Sequence, residues 1–150
     1  MKYLIFAIAI TAADQLTKHC AEQQIKNVGE IKVGKFNFCY VRNSGAAMGL
    51  FSNKPQLLAV MTTGALAQIF FHYYKLYRAG MFDDTYKLSS ACVFGGAAGN
   101  IIDRSRHGYV TDFIQIGDSP IFNIADVSVA LGTILFIVKR LFDLGKGGSS

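Results

Sequence analysis

The feature that most constrains this chain is where its charges are missing. Tyr3 to Ala13 carries none, Pro55 to Tyr74 carries none, and Leu88 to Ile102 carries none. Ser119 to Val138 carries one, Asp126. A helix needs roughly 20 mostly apolar residues to cross about 30 Å of hydrocarbon. The second and fourth gaps reach that length. The third reaches it with Thr85, Tyr86 and a snorkelling Lys87. The first reaches it only by running on through Asp14 and Lys18. Those two residues sit four apart and can pair on one helix face, and Leu16 continues the apolar pattern. The alternative for this segment is a cleaved signal peptide, with Lys2 as n-region, Tyr3 to Ile10 as h-region and Thr11-Ala12-Ala13 as small residues. The continued periodicity past Ala13 argues against it. Spans are therefore expected at about 3–20, 55–75, 85–104 and 122–142.

Composition agrees. The chain of 150 residues is 51% hydrophobic and 17% charged, against about 25% charged in soluble domains. Disorder requires the opposite balance. Three cysteines are too few, and odd in number, for a disulfide scaffold. A soluble bundle would need polar stripes, and Leu57 to Tyr74 offers none. The net charge of +5 comes from 15 basic residues spread along the chain. That pattern fits anionic lipid better than nucleic acid, which is not expected as a partner. With both termini and the loop 75–87 inside, the basic residues divide almost evenly across the membrane. The short loop and the helix end at Lys139-Arg140 favour cytoplasmic termini.

The segment of about 21–54 alternates apolar and polar residues at Ile31 to Val33 and Phe36 to Val41, as short strands do. Asn43-Ser44-Gly45 reads as a turn. The fold expected is all-α: a four-transmembrane-helix bundle with a small extracytoplasmic β-sheet, one domain over 1–150. The Gly/Ser-rich tail 145–150 reads as flexible. Gly95 and Gly99 form a GxxxG pair suited to close helix packing. Cys92 reads as core. Cys20 and Cys39 could both lie outside, and pairing between them stays open. His19, His72 and His107 are scattered, no zinc-ligand spacing occurs, and no metal or cofactor is expected.

The informative residues are acids and amides at span ends, because ionisable groups there mark function by default. Each has a structural reading as well. Asp14 pairs with Lys18. Asp103 pairs with adjacent Arg104 as an interfacial anchor. Asn123 and Asp126 form an N-cap and its N3 partner. Asp112 alone could be a turn residue. Together, however, Asp112 and Asp126 flank one short connection, 113–125, whose ends can return to one face. Two close carboxylates share a proton and titrate as a unit. One can take a proton from water while the other gives one to a carbonyl.

At these residues the sequence resembles the bacterial lipoprotein signal peptidases (signal peptidase II). Four blocks carry the resemblance: Asp14-Gln15-Leu16-Thr17-Lys18; Asn43-Ser44-Gly45-Ala46-Ala47-Met48-Gly49; Gly99-Asn100-Ile101-Ile102-Asp103-Arg104 with Gly108-Tyr109-Val110-Thr111-Asp112-Phe113; and Phe122-Asn123-Ile124-Ala125-Asp126. The resemblance implies an aspartic endopeptidase of the bacterial inner membrane, with its site toward the outer face. It implies cleavage of the signal peptide from diacylglyceryl-modified prolipoproteins, just before the lipidated Cys. Asp112 and Asp126 match the catalytic pair, and Asn43, Asn100, Arg104 and Asn123 match the residues around the scissile segment and are expected to bind substrate by hydrogen-bonding its backbone. Asp14, Lys18 and Asp103 are expected to be structural. The implied partners are these substrates, membrane lipids and globomycin-type inhibitors, with a monomer as the working unit. The connection 113–125 is short and lacks Trp, so contacts there are expected to differ. Two other classes fit the charge pattern less well. A proton-coupled transporter would place its acids at mid-bilayer and show inverted halves. A silent assembly factor would not need both Asp112 and Asp126.

Overall fold

A computed structural model describes residues 1–44 and 55–147. Four long helices carry the chain: α1 (Lys2–Gln24), α2 (Pro55–Arg78), α3 (Asp84–His107) and α4 (Ile124–Gly147). The first three contain a charge-poor stretch whole, and α4 contains the fourth from Ile124 onward. Three strands, β1 (Glu30–Val33), β2 (Phe36–Asn43) and β3 (Val110–Ile116), form an antiparallel sheet in the order β1-β2-β3. The chain is thus mostly helical with a small sheet.

The helix ends follow local chemistry. Asp83 caps α3 by accepting from the Thr85 and Tyr86 amides at 3.0 and 3.1 Å, a contact worth about 1 kcal/mol. Gly108 ends the helix in the left-handed region at φ 77°. Helix α4 runs through Gly145 to Gly147. The first three residues of the expected flexible tail are therefore helical, as no proline stops the helix there, and 148–150 lie outside the described residues.

Helix α3 is the centre of the bundle, packed between α1 and α4. Small residues make this possible. A Cβ on Gly96 would stand 2.5 Å from the Ala125 carbonyl oxygen of α4. On the α1 side, the Thr11 hydroxyl donates to the Gly95 carbonyl at 2.8 Å. One end of the bundle is held by rings: Tyr73 and Tyr86 are buried among Phe82, Phe94 and Phe136. The Tyr73 hydroxyl meets Ser89 Oγ at 2.7 Å, and Ser89 donates to the Gly132 carbonyl at 2.7 Å. The Tyr86 hydroxyl donates to Asp143 at 2.9 Å, beside a Lys139–Asp83 ion pair of 3.0 Å.

The sheet lies at the other end. Its inner face buries Phe113 against Ala21 and Ile25 of α1, with Phe38, Tyr40, Ile114 and Ile124 around them. Strands β1 and β2 fall where alternation placed them. Strand β3 was not foreseen, and Asp112 sits inside it rather than at a turn, paired across from Val41. A bulge between Phe38 and Val41 shifts the register. The tail of the turn at Asn43-Ser44-Gly45, and the glycine-containing end of the second motif block, lie outside the described residues. Cys20, Cys39 and Cys92 are all free thiols.

No helix, over the described residues, is long and apolar enough to cross a membrane. Polar groups interrupt the helices: Asp14 and Lys18 in α1, Asn100, Asp103 and Arg104 in α3, and Asp126, Lys139 and Arg140 in α4. Most of those at the sheet end turn inward. Asp14 is 0% exposed and Lys18 4%, while Leu4, Ile8, Phe71, Leu131, Ile134 and Phe142 are all exposed by more than half.

Candidate active site

The site is built on a buried ionic layer. Lys18 Nζ lies 2.8 Å from Asp14 and 3.0 Å from Asp103, all three side chains being buried. The expected Asp103–Arg104 pair does not form. Neighbouring helix residues diverge in direction, so Asp103 points at α1 while Arg104 points elsewhere. Each carboxylate also orders backbone. Asp14 accepts from the Ala125 amide at 2.9 Å, fixing the first turn of α4. Asp103 accepts from the Thr111 amide at 3.1 Å, fixing β3 one residue before Asp112. Gln15, to which the sequence reading gave no role, donates to Asp103 at 2.9 Å and to the Gly99 carbonyl at 3.1 Å. Its signal was its place in the first motif block, between Asp14 and Lys18.

Above this layer the structure gathers Asp112, Asp126, Asn43, Asn100 and Asn123 from β2, α3, β3 and the start of α4. Asn43 Nδ2 donates to one Asp112 oxygen at 2.8 Å, and Asn123 Nδ2 donates to the other at 2.7 Å. Asn100 Nδ2 donates to one Asp126 oxygen at 2.8 Å, and the Asn123 backbone amide to the other at 3.2 Å. All four carboxylate oxygens are therefore held. Asn123 and Asp126 form a reciprocal cap, since the Asp126 amide returns a bond to Asn123 Oδ1 at 2.9 Å. Asp126 thus lies in the first turn of α4, at the positive end of the helix dipole. Lys18 connects the two tiers by donating to Asn100 Oδ1 at 2.9 Å, an oxygen that also accepts from Asn123 at 3.2 Å.

The two acids differ in surroundings. Asp112 is 3% exposed on a strand. Burial pushes its carboxyl up to about 6, and the nearby Asp126 charge adds to this, while Asn43, Asn123 and Lys18 oppose it. Asp126 is half-buried at the edge of a groove of about 360 Å³ between α2, α3 and α4. Leu66, Ile69, Val93 and Val129 line its apolar length, and Asn100, Arg104 and Asp126 line its polar end. Arg104 stands apart from the amide cage and belongs to this groove.

Such an arrangement sets one carboxyl, Asp126, at the polar end of an apolar groove and a second, Asp112, beside it through their shared partner Asn123. Residues 6–142 match the model of the family described as signal peptidase (SPase) II. The chain is 36% identical over 140 residues to the lipoprotein signal peptidase of Halothermothrix orenii, covering 92% of this chain and 93% of that protein. It is 35% identical over 150 residues to that of Moorella thermoacetica, covering 99% and 98%. A solved structure described as a bacterial membrane enzyme superposes with a TM-score of 0.85 at 30% identity, covering 99% of this chain and 93% of that one. A second so described superposes at 0.75 and 31% identity, covering 93% and 92%. Matched by the family model over residues 6–142 and by relatives over nearly their whole length, the chain belongs to the signal peptidase II family.

Proposed function

We propose that this protein is an aspartic endopeptidase that removes the signal peptide from diacylglyceryl-modified prolipoproteins, cutting before the lipidated Cys. The observation that carries the reading is the cage of amide donors around Asp112 and Asp126 at the polar end of the apolar groove. Asp126, charged at the helix start, takes a proton from a water. The resulting hydroxide attacks the scissile carbonyl carbon while Asp112, the protonated partner, gives its proton to the carbonyl oxygen. The tetrahedral intermediate then collapses: the C–N bond breaks, the proton held by Asp126 passes to the departing amino group, and one hydroxyl of the intermediate returns its proton to Asp112 as the carboxyl product forms. Asn43, Asn100 and Asn123 hold the carboxylates in place. Arg104, at the groove end, hydrogen-bonds the substrate backbone, which lacks partners near hydrocarbon.

The groove suits an apolar signal helix, and the exposed Leu, Ile and Phe side chains suit acyl chains around the bundle. On this reading the four helices are membrane spans of the inner membrane. The buried ions of α1 and α3 neutralise one another inside the bundle, which offsets their cost in lipid. Both termini lie in the cytoplasm and the site faces outward.

The test is a gel-shift assay in detergent with a diacylglyceryl-modified prolipoprotein. Wild-type protein is expected to cleave it, and globomycin to stop cleavage. Asp112→Asn and Asp126→Asn are each expected to be folded and inactive. Substantial turnover by either variant would overturn the dyad.

A further inference from the structure

On the outer rim, cations and rings alternate in one continuous row. Lys26 Nζ lies 5.7 Å from the Tyr40 ring centre. The Arg42 guanidinium lies 5.8 Å from the same ring and 4.9 Å from that of Tyr109. The Tyr109 ring is followed by His107 at 5.7 Å. The row therefore runs from the end of α1, across β2, to the end of α3. Lys26, Arg42 and His107 are exposed, as is Arg106 beside them. One acid faces the row: Glu22 accepts from Tyr40 at 3.2 Å and from Lys26 at 3.3 Å. Among the described residues, Arg42 hydrogen-bonds only through Nε, to the Tyr40 hydroxyl at 3.2 Å.

We propose that this row binds the phosphate of an anionic phospholipid in the outer leaflet. The inference rests on the membrane reading above. If the spans end near residues 20 and 104, Lys26 lies about 9 Å beyond the first and His107 about 4.5 Å beyond the second, at 1.5 Å per residue. The headgroup layer is roughly 5 to 8 Å thick, so the row crosses it. Ring faces hold the cations in place without neutralising them. Aromatic and basic residues together favour this depth. The contact has a mechanical consequence. Arg42 directly precedes Asn43, which holds Asp112, so a lipid bound at Arg42 fixes the height of the strand that carries part of the site.

The experiment is equilibrium binding of a fluorescent phosphatidylglycerol to the full-length protein in neutral detergent, with phosphatidylcholine as the neutral lipid. Phosphatidylglycerol is expected to bind more tightly, and added salt to weaken it. Arg42→Gln and Lys26→Gln are each expected to weaken it about fivefold. Lys35→Gln, at the far turn of the sheet, is expected to leave it unchanged. Inorganic phosphate is not expected to displace the lipid. Equal affinity for both lipids, or an equal loss in Lys35→Gln, overturns the proposal. So does a soluble acidic peptide that binds more tightly and loses affinity in the same two variants. If Arg42→Gln unfolds, Lys26→Gln, exposed beyond a helix end, carries the test. Asp112→Asn is expected to bind the lipid as wild type does. Loss of cleavage and loss of lipid binding are thereby separate results.

Discussion

The two ends of the bundle are held by opposite means. At the sheet end, Asp14, Lys18 and Asp103 are buried as ions, and Asp112 and Asp126 are crowded above them. At the other end, Tyr73, Tyr86 and Phe136 fill the space between helices, and the ions at Lys139, Asp83 and Asp143 remain on the rim. Buried rings stabilise by removing apolar area from water, whereas buried ions roughly break even with their desolvation cost. The contrast teaches that the sheet end is arranged for geometry and the other end for cohesion.

The sharpest way to break that contrast is chemical. Asp112→Asn or Asp126→Asn is expected to lower cleavage by about a thousandfold or more while the circular dichroism spectrum stays native. Unfolding of either variant would mean that the dyad holds the bundle together. Lys18→Met comes next. It strands two buried carboxylates, and a loss of about 3–5 kcal/mol is expected in denaturant unfolding. Adding Asp14→Asn and Asp103→Asn to that variant should restore part of the loss. Failure to restore any would show that Lys18 acts through something other than its charge.

A smaller effect comes from pH. The folded Asp112 carboxyl, at about 6, lies above its ordinary value of 3.8. The folded protein therefore binds this proton more tightly than the unfolded chain does. Its contribution to stability is fully present below 3.8 and is lost as pH rises through about 6. The stability difference between Asp112→Asn and wild type should shift in favour of the variant by up to about 3 kcal/mol between pH 4 and pH 8. A difference that does not change with pH would place the Asp112 carboxyl in its ordinary range. In the free enzyme, kcat/KM should fall on the alkaline side as Asp112 loses its proton. The smallest effect belongs to the ring end. Tyr86→Phe removes the bond to Asp143 and should cost about 1 kcal/mol, with cleavage unchanged. Cleavage that falls with Tyr86→Phe would erase the distinction between the ends.

The helices were legible because charge spacing is a one-dimensional property. The α1–α3 layer was half legible. Asp14 and Lys18 share one helix face and could be paired by spacing. The partner of Asp103 could not, because Lys18 comes from another helix and adjacency to Arg104 was misleading. Strand β3 was hidden for a related reason. Alternation marks a strand only where polar residues face water, and Val110, Thr111, Asp112 and Phe113 are all buried. The carboxylates and amides were visible as a set through the four motif blocks. Their division of labour was not, since it depends on which oxygen each amide reaches.

The reciprocal cap at Asn123 and Asp126 ties chemistry to the backbone. On the proposed mechanism Asp126 is neutral for part of every turnover. During that interval its attraction to the positive end of α4 is lost, and its hold on the Asn123 amide weakens. The start of the helix is thus a component that slackens and tightens once per peptide cut. The same beat that moves a proton loosens the scaffold nearest the product.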